Sequence, residues 1–330
     1  MAEAWARAEG PPSVANVGPG FDCMGIAVPA PGDVVWARRR NEAGVSLTIL
    51  GSPDGLPSSP ERNTVYAAAA KLLELLEEPC GVELVLSKRL PTGGSGLGSS
   101  GASAAASVAA TAAALGRTGA DTVVERGILI EAAAAGEAVA AGSPHTDNVA
   151  ASLFGGIVLV TPDGEVLELP TPDGITLVVV LPEAQVSTAD ARAALPEHIR
   201  LSVAVSQAAS LGALVHALHA GDPRLAGRSL VDRIAAPARA HLVPSYRAVL
   251  EAAQKAGALG ASMSGSGPAA FALCPQGFET RVADAMLRTW GDAGCPGEMV
   301  HAGDLSGPGA IHSISLDANL PDGIEGDPVF

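Results

Sequence analysis

The stretch PTGGSGLGSSGASAAA, residues 91–106, decides the fold class of this 330-residue chain. Its glycines let backbone N–H groups approach an anion closely. The Ala-rich run after them predicts a helix, whose first turn adds unpaired N–H donors and a positive dipole end. The adjacent hydroxyls of Ser99 and Ser100 are suited to a nucleotide-bound Mg²⁺. The stretch therefore predicts a phosphate-binding loop that leads into a helix.

Two other interpretations of these glycines are weaker. A Walker loop requires a lysine where this chain has serine. Gly96, Gly98 and Gly101 satisfy the GxGxxG pattern of dinucleotide-binding proteins, with residues 82–86 as the preceding strand. In that fold the glycines follow the strand directly, whereas here residues 87–95 intervene. An ordinary Gly/Ser loop before a core helix would be favoured if the stretch stood alone.

Three further segments accompany the loop, in order and in register, between roughly residues 10 and 275. They are SVANVGPGFDCMGIAV (13–28), SPHTDNVAASLFGG (143–156) and GASMSGSGPAAFAL (260–273). Together with the loop they resemble the signature motifs of the GHMP small-molecule kinases. Within that family the chain is most similar to the homoserine kinases, which combine an Asn and a Gly-Pro-Gly-Phe-Asp run with a His-x-Asp-Asn element before a Gly-Gly pair.

The resemblance implies an α+β fold of two domains. A ribosomal-protein-S5-like, ATP-binding domain is expected over residues 1–162, and a ferredoxin-like α/β sandwich over residues 163–330. The length agrees, because 330 residues exceed one typical core. Two Pro-Asp-Gly turns within residues 161–174 indicate the junction. Apolar patterning predicts helices over residues 63–76, 99–115, 123–141, 199–220 and 246–256, and strands over 34–37, 45–50, 82–86, 157–161 and 175–181.

Composition excludes several classes of protein. A net charge of −15 disfavours binding to nucleic acid or to an anionic membrane. The four cysteines lie far apart without a CxxC pair, which argues against a disulfide framework and a structural zinc site. The N-terminus has no apolar signal-like stretch. We therefore expect a cytoplasmic protein without nucleic-acid or membrane partners. The oligomeric state stays open, and a homodimer is compatible with the sequence.

The resemblance implies a magnesium-dependent kinase that uses ATP to phosphorylate the side-chain hydroxyl of L-homoserine. Its product would be O-phospho-L-homoserine, in threonine biosynthesis. Three alternatives remain open. A kinase of the same fold could act on another small alcohol, such as mevalonate, shikimate or threonine. The GxGxxG match could belong to an NAD-dependent oxidoreductase, or the chain could be a catalytically silent binding protein with the GHMP fold.

On the nucleotide side, the resemblance assigns ATP to the phosphate loop, the second glycine loop and one asparagine. Asn63 also fits a helix N-cap, and the two roles are compatible. The residues assigned to ATP are Asn63, Pro91, Gly94, Ser95, Gly96, Leu97, Gly98, Ser99, Ser100, Gly265 and Gly267.

Glu137 is a lone carboxylate in a run of Ala, Gly and Val. On its own it would be interpreted as a paired or solvent-facing group. The resemblance makes it a Mg²⁺ ligand together with Ser100.

On the acceptor side, the resemblance assigns homoserine to residues from four segments. Arg192 and Arg239 match the two family arginines that bind the substrate carboxylate, although each alone would be interpreted as a surface helix arginine. The other residues assigned to homoserine are Asn16, Asp22, His145 and Thr188.

Asp147 and Asn148 are the two candidates for the position next to the acceptor hydroxyl. Other GHMP kinases use an Asp there, but the spacing to Gly155 is ambiguous by one residue. If Asn148 faces the hydroxyl, transfer relies on positioning and Asp147 binds the substrate ammonium. If Asp147 faces it, Asp147 is a general base.

Overall fold

The computed structural model describes residues 4–51, 55–57, 59–117, 123–142 and 144–320. Its strands are β1 (Ala6–Gly10), β2 (Ser13–Ala15), β3 (Met24–Ala27), β4 (Asp33–Arg40), β5 (Gly44–Ile49), β6 (Gly81–Ser87), β7 (Ile157–Val160), β8 (Val166–Leu169), β9 (Ile175–Pro182), β10 (Gly260–Met263), β11 (Ala270–Pro275) and β12 (Gly297–Asp304). Its α-helices are α1 (Thr64–Leu75), α2 (Ser99–Ala114), α3 (Val123–Ala141), α4 (Thr146–Phe154), α5 (Thr188–Ala193), α6 (Leu201–Ala220), α7 (Pro223–Ser229), α8 (Ala235–Arg239), α9 (Tyr246–Lys255) and α10 (Glu279–Asp292).

The described strands form three four-stranded sheets, with orders β1-β4-β6-β5, β2-β3-β7-β8 and β10-β11-β9-β12. Among their pairings only β5 with β6 is parallel. A dinucleotide-binding fold needs a mostly parallel, doubly wound sheet. The GxGxxG interpretation is therefore wrong, and the expected α+β class is confirmed.

Helix α2 lies at the centre of the first half of the molecule, between the first sheet and helices α1, α3 and α4. Every residue from Gly101 to Ala113 is buried, so the helix has no solvent face along this length. Small side chains allow this close packing. At Gly10 in β1, for example, a Cβ would collide with the carbonyl group of Ala102. The helix that follows the phosphate loop is thus held rigidly on all sides.

The second and third sheets share one apolar core. Met24 and Ile157 of the second sheet belong to the same buried cluster as Leu177 and Phe271 of the third. Strand β8 still pairs with β7, and β9 begins the third sheet, so the chain changes sheets after Leu169. This crossing falls within the predicted junction at residues 161–174. The domain boundary after residue 162 stays a prediction.

The five helices predicted above are confirmed to within about two residues, the usual uncertainty at helix ends. They are α1, α2, α3, α6 and α9. The predicted helix over residues 199–220 is α6, which begins at Leu201.

Helix α6 is the only described helix that is long and apolar enough to cross a membrane by length and composition. A single such helix is weak evidence for a membrane span. Leu214, Ala217 and Leu218 of this helix are buried in the core that the second and third sheets share.

Gly25 in β3 offers a test of the packing that positions α4. A Cβ at Gly25 would collide with the carbonyl oxygen of Asp147, so Gly25→Ala should push β3 and α4 apart and cost about 1–3 kcal/mol. We expect a lower thermal unfolding temperature. The matched control is Gly212→Ala in α6, where a Cβ meets no atom within 4 Å and should stabilise the helix by about 0.5–1 kcal/mol. An unfolding temperature for Gly25→Ala at or above that of the wild type would contradict this packing.

Candidate active site

A cavity of about 990 Å³ opens between the phosphate loop, the C-terminal part of α3, the start of α4 and the segment that enters α5. Most of the predicted site residues line it. The exceptions are Pro91, Leu97, Arg192 and Gly267. The structure thus brings the predicted nucleotide, metal and acceptor residues to one place.

The phosphate loop is held by its carbonyl groups. Each of the five successive carbonyl oxygens from Gly94 to Gly98 accepts a hydrogen bond from another part of the protein. The donors are Val186 N (3.2 Å), Ala269 N (3.1 Å), Ser264 Oγ (2.6 Å), Ser13 N (2.9 Å) and Ala102 N (2.8 Å), in that order.

The N–H groups of the loop are, in contrast, available to a ligand. For Gly94, Gly96, Gly98 and Ser99, the hydrogen bonds between described residues include no protein acceptor of the backbone N–H. These glycines have φ values of 70°, 78° and 63°, a region that residues with a Cβ rarely adopt. Since the positive end of α2 lies directly behind, the loop is a concave anion site.

Leu97 contributes to the loop from the core. Its side chain is buried in the apolar cluster that includes Val14, and its N–H donates to Ser95 Oγ at 3.3 Å. The structure therefore differs from the expectation that Leu97 contacts ATP, because neither its side chain nor its N–H faces the cavity.

The second glycine loop supports the first. Gly265 N donates to Ala15 O at 3.2 Å, and Gly267 N donates to Ser264 O at 2.8 Å. We expected Gly265 and Gly267 to offer backbone donors to ATP. In this structure both donors are already used within the protein, and the loop acts through Ser264, which holds Gly96.

Glu137 is buried, and its carboxylate connects the phosphate loop to the acceptor side. Oε1 lies 3.3 Å from Ser100 Oγ and 2.9 Å from His145 Nδ1, and Oε2 accepts His145 N at 2.8 Å. The hydrogen bond to Glu137 raises the pKa of His145, although burial opposes this. Ser100 and Glu137, the two predicted Mg²⁺ ligands, thus lie next to each other, and their metal role stays a prediction.

Asp147 and Asn148 occupy the first turn of α4 but face different partners. Asp147 is 1% exposed, and its carboxylate accepts the N–H groups of Asn16 (3.2 Å) and Asn148 (2.9 Å). Burial, with a smaller contribution from Asp22, raises the pKa of Asp147 to about 6. Asn148 Oδ1 accepts Ser13 Oγ at 2.9 Å and lies against Gly98 of the phosphate loop. Asn148 is therefore the nearer of the two to the phosphate loop.

Charges of both signs surround Phe21 at the acceptor end. Arg192 and Arg239 lie 5.7 and 5.4 Å from its ring centroid. Arg192 Nη1 contacts Asp22 Oδ2 at 2.8 Å, and Nη2 contacts His145 Nε2 at 3.1 Å. The sequence alone could not exclude surface positions for either arginine. Arg239 is in fact 4% exposed, with Nε on Ala191 O and Nη1 on Gly265 O.

Asn16 and Thr188 on the acceptor side, and Asn63 on the nucleotide side, occupy supporting positions. Asn16 Oδ1 accepts Asp22 N at 3.0 Å, which fixes the Asp22 backbone. Asn63 is buried and caps α1, because its Oδ1 accepts Val65 N at 2.9 Å. Thr188 is the first residue of α5 and lines the cavity. The N-cap is confirmed, and the contacts of Asn63 and Thr188 with ligands stay predictions.

The sequence did not single out Lys88, Asp33 or Ser13. Lys88 and Asp33 form a buried ion pair beside the first turn of α2, and Ser13 holds both Leu97 and Asn148. For Lys88, one feature of the sequence could have indicated a role at the site. The chain has few lysines, and this one lies three residues before the phosphate loop.

Comparison with known protein families gives two matches. The model described as GHMP kinases N terminal domain matches residues 63–156, and the model described as GHMP kinases C terminal matches residues 214–293. These ranges contain the phosphate loop, Glu137, Asp147 and Asn148 in the first, and the second glycine loop in the other.

Individual relatives match over most of the chain. A homoserine kinase of Natronomonas pharaonis is 38% identical over 288 residues, 86% of this chain and 92% of the relative. One of Chlorobium phaeobacteroides is 40% identical over 289 residues, 83% and 88% of the two chains. The crystal structure of a homoserine kinase from Cytophaga hutchinsonii superimposes with a TM-score of 0.85 at 38% identity, covering 96% of this chain and 98% of that one. The match agrees with the expected two-domain fold.

Gly93 and Gly94 form a matched pair that tests the loop geometry. Both have positive φ (81° and 70°), so Ala at either position costs about 1–2 kcal/mol of backbone strain. Only at Gly94 would a Cβ collide with the backbone, at the carbonyl of Val186. We expect Gly94→Ala to weaken binding of a nucleoside triphosphate at least about 10-fold more than Gly93→Ala does, because the loop must shift. Calorimetric titration measures both affinities, and equal losses would contradict the assigned loop contacts.

Proposed function

The chain belongs to the GHMP kinase family and, within it, to the homoserine kinases; on this basis we propose that it transfers the γ-phosphoryl group of ATP to the side-chain hydroxyl of L-homoserine. The observation that carries the proposal is one cavity that is lined both by the phosphate loop and by the charged residues Asp22, Asp147 and Arg239. The phosphates of ATP require an anion-binding loop, and a small zwitterionic alcohol requires charged groups of both signs.

The nucleotide end fits a triphosphate. Loop residues whose N–H groups have no acceptor among the described residues line the cavity, while the carbonyl groups of residues 94–98 are bonded within the protein. Asn63 and residues 55–57 line the cavity beyond the loop, where the base and ribose would lie. Such fixed donors stabilise charge on phosphoryl oxygens without reorganisation during the reaction.

The acceptor end fits an amino acid better than a simple hydroxy acid. The guanidinium groups of Arg192 and Arg239 suit a carboxylate. Nε and Nη1 of Arg239 are bonded to Ala191 O and Gly265 O, so Arg239 would offer Nη2, and Arg192 would exchange its contact with Asp22 for the substrate. Asp22 and Asp147 both line the cavity, and their carboxylates suit an ammonium group. Mevalonate has a carboxylate but no ammonium group, so it would leave these carboxylates unpaired.

The metal end fits Mg²⁺ that is bound jointly by the protein and the phosphates. Among the described residues, no group of three or more His, Cys, Asp and Glu could hold a metal by itself. Mg²⁺ commonly uses one or two protein ligands together with phosphate oxygens and water. Glu137 and Ser100 provide a buried carboxylate and a hydroxyl 3.3 Å apart at the mouth of the phosphate loop. Bound there, the metal would neutralise charge on the phosphate tail.

Transfer then depends mainly on alignment. A loose transition state needs little prior deprotonation of the attacking alcohol. Asn148, which contacts the phosphate loop, would orient the acceptor hydroxyl, and Asp147 would bind the ammonium group. The hydroxyl oxygen forms the new bond to phosphorus as the bond to ADP breaks, and its proton leaves late to phosphate or solvent.

The proposal is tested by a coupled assay of ADP release across a panel of acceptors. L-homoserine should give the highest kcat/KM, with L-threonine, mevalonate, shikimate and simple polyols well below it. Mass spectrometry of the product should show phosphate on the side-chain oxygen. A higher kcat/KM for any other acceptor in the panel would contradict homoserine as the substrate.

Glu137→Gln tests the metal assignment. The change keeps the shape but removes one ligand charge, so activity at limiting Mg²⁺ should fall about 10- to 100-fold and recover partly at high Mg²⁺. The control is Glu131→Gln on the same helix, whose side chain is 58% exposed. It should leave the Mg²⁺ dependence unchanged. The assignment is wrong if the two variants show the same Mg²⁺ dependence.

Asp147 predicts a pH dependence. Its pKa is raised to about 6, so the carboxylate is ionised above that pH and neutral below it. A neutral carboxyl loses its attraction for the substrate ammonium, and the KM for homoserine should rise as pH falls below about 6, up to 10-fold per pH unit. In Asp147→Asn the KM should be high at every pH and this dependence should be absent. If the variant instead lost kcat about 10²- to 10⁴-fold at unchanged KM, Asp147 would be the general base.

A further inference from the structure

The ammonium group of Lys88 lies beneath the first turn of α2. The Lys88 side chain is 5% exposed, and Nζ pairs with Asp33 Oδ2. Nζ also donates to Ser99 Oγ at 2.6 Å, and it lies 3.3 Å from both Ser99 O and Ser103 Oγ. A buried cation is therefore in direct contact with a hydroxyl of the phosphate loop.

This position is unfavourable for the helix itself. The N-terminus of a helix favours negative charge, and a lysine there is destabilising. Burial adds a desolvation cost, which lowers the pKa of Lys88 although Asp33 opposes the shift. Helix stability does not explain a lysine at this place.

Asp33 makes the lysine rigid and cancels its charge. This carboxylate is fully buried. Its Oδ1 accepts the N–H groups of Arg89 (2.8 Å) and Leu90 (2.9 Å), and its Oδ2 accepts Ser103 Oγ at 2.5 Å as well as Lys88. Lys88 borders the cavity, but its Nζ is held by Asp33 and Ser99, and a neutral pair projects little net field. Lys88 therefore acts on a ligand chiefly through its contact with Ser99.

The contact with Lys88 determines what the Ser99 hydroxyl can do. An ammonium group can only donate, so Ser99 Oγ accepts from Lys88 and its own proton must point elsewhere. Ser99 lines the cavity, and the hydrogen bonds between described residues include no acceptor for that proton. Ser100 Oγ, the next hydroxyl, instead faces Glu137 at 3.3 Å. The hydroxyls of the two adjacent serines thus have different partners, Lys88 for Ser99 and Glu137 for Ser100.

We propose that Lys88 is a positioning residue that fixes the Ser99 hydroxyl as a hydrogen-bond donor to a phosphate oxygen of the nucleotide, while Ser100 serves the metal. The inference rests on the proposed function, since it requires a triphosphate in the loop. It assigns to Lys88 no contact with the nucleotide.

A double-mutant cycle tests the inference. Dissociation constants for ATP and for adenosine are measured by calorimetry with the wild type, Lys88→Met, Ser99→Ala and the double variant. A lost donor to a charged acceptor corresponds to a loss of about 10-fold or more. We expect each single variant to lose about 10-fold in ATP affinity with adenosine affinity unchanged, and the double variant to lose no more than Lys88→Met alone.

Two controls separate positioning from stability. Lys255→Met removes an exposed lysine, whose side chain is 80% exposed, and should change neither affinity. Lys88→Met leaves Asp33 buried without its cation and can destabilise the fold. The paired variant Lys88→Met with Asp33→Asn removes both charges, and it should still show the selective loss of ATP affinity at a temperature well below its unfolding transition.

The outcomes are distinct. Equal losses for ATP and adenosine in the Lys88 variants, or losses that multiply in the Lys88→Met/Ser99→Ala double variant, would overturn the inference. Unchanged ATP affinity in both Lys88 variants would overturn it as well. A wild type that bound no ATP would overturn the proposed function itself, and would be seen before any variant was compared.

Discussion

The molecule depends on how the phosphate loop is held. Five consecutive carbonyl oxygens, from Gly94 to Gly98, accept hydrogen bonds from the N-terminal strand β2, from α2 itself and from C-terminal segments at Val186 and residues 264–269. Because the carbonyl of one residue and the N–H of the next lie on opposite sides of their shared peptide group, anchoring these five oxygens directs the N–H groups of residues 95–99 away from the anchoring contacts. The same contacts join the N-terminal and C-terminal parts of the chain, so the anion site exists only when both are folded.

The acceptor side is also organised by contacts within the protein. There, side chains of opposite charge pair with one another in the absence of a ligand. Arg192 bridges Asp22 and His145, and His145 in turn holds Glu137. A continuous chain of hydrogen bonds therefore runs from Arg192, where we propose the substrate carboxylate binds, to Glu137, the proposed metal ligand. A zwitterionic substrate can replace this pairing, because its carboxylate can bind Arg192 and its ammonium group can bind Asp22. Both side chains stay paired, which limits the free-energy cost of desolvating them. This arrangement suits an amino acid and leaves other alcohols with unpaired charges.

The sequence predicted the phosphate loop and five helices because glycine spacing, capping residues and apolar periodicity are local signals. It did not predict β1, whose buried side chains are only Ala6 and Ala8 and give a weak strand signal. Nor did it predict that the N–H groups of Gly265 and Gly267 are used internally, or that Lys88 pairs with Asp33 across 55 residues. Those features depend on long-range contacts, which no short window of sequence contains.

The central claim is that the loop N–H groups bind the phosphates, and backbone amide NMR during titration with Mg²⁺ and ATP tests it most directly. The amide resonances of Gly94, Gly96, Gly98 and Ser99 should shift together and saturate with the affinity of nucleotide binding. Amides of glycines remote from the cavity, such as Gly291 in α10, should not move. Saturable binding of ATP that left the four loop amides unchanged would contradict the claim.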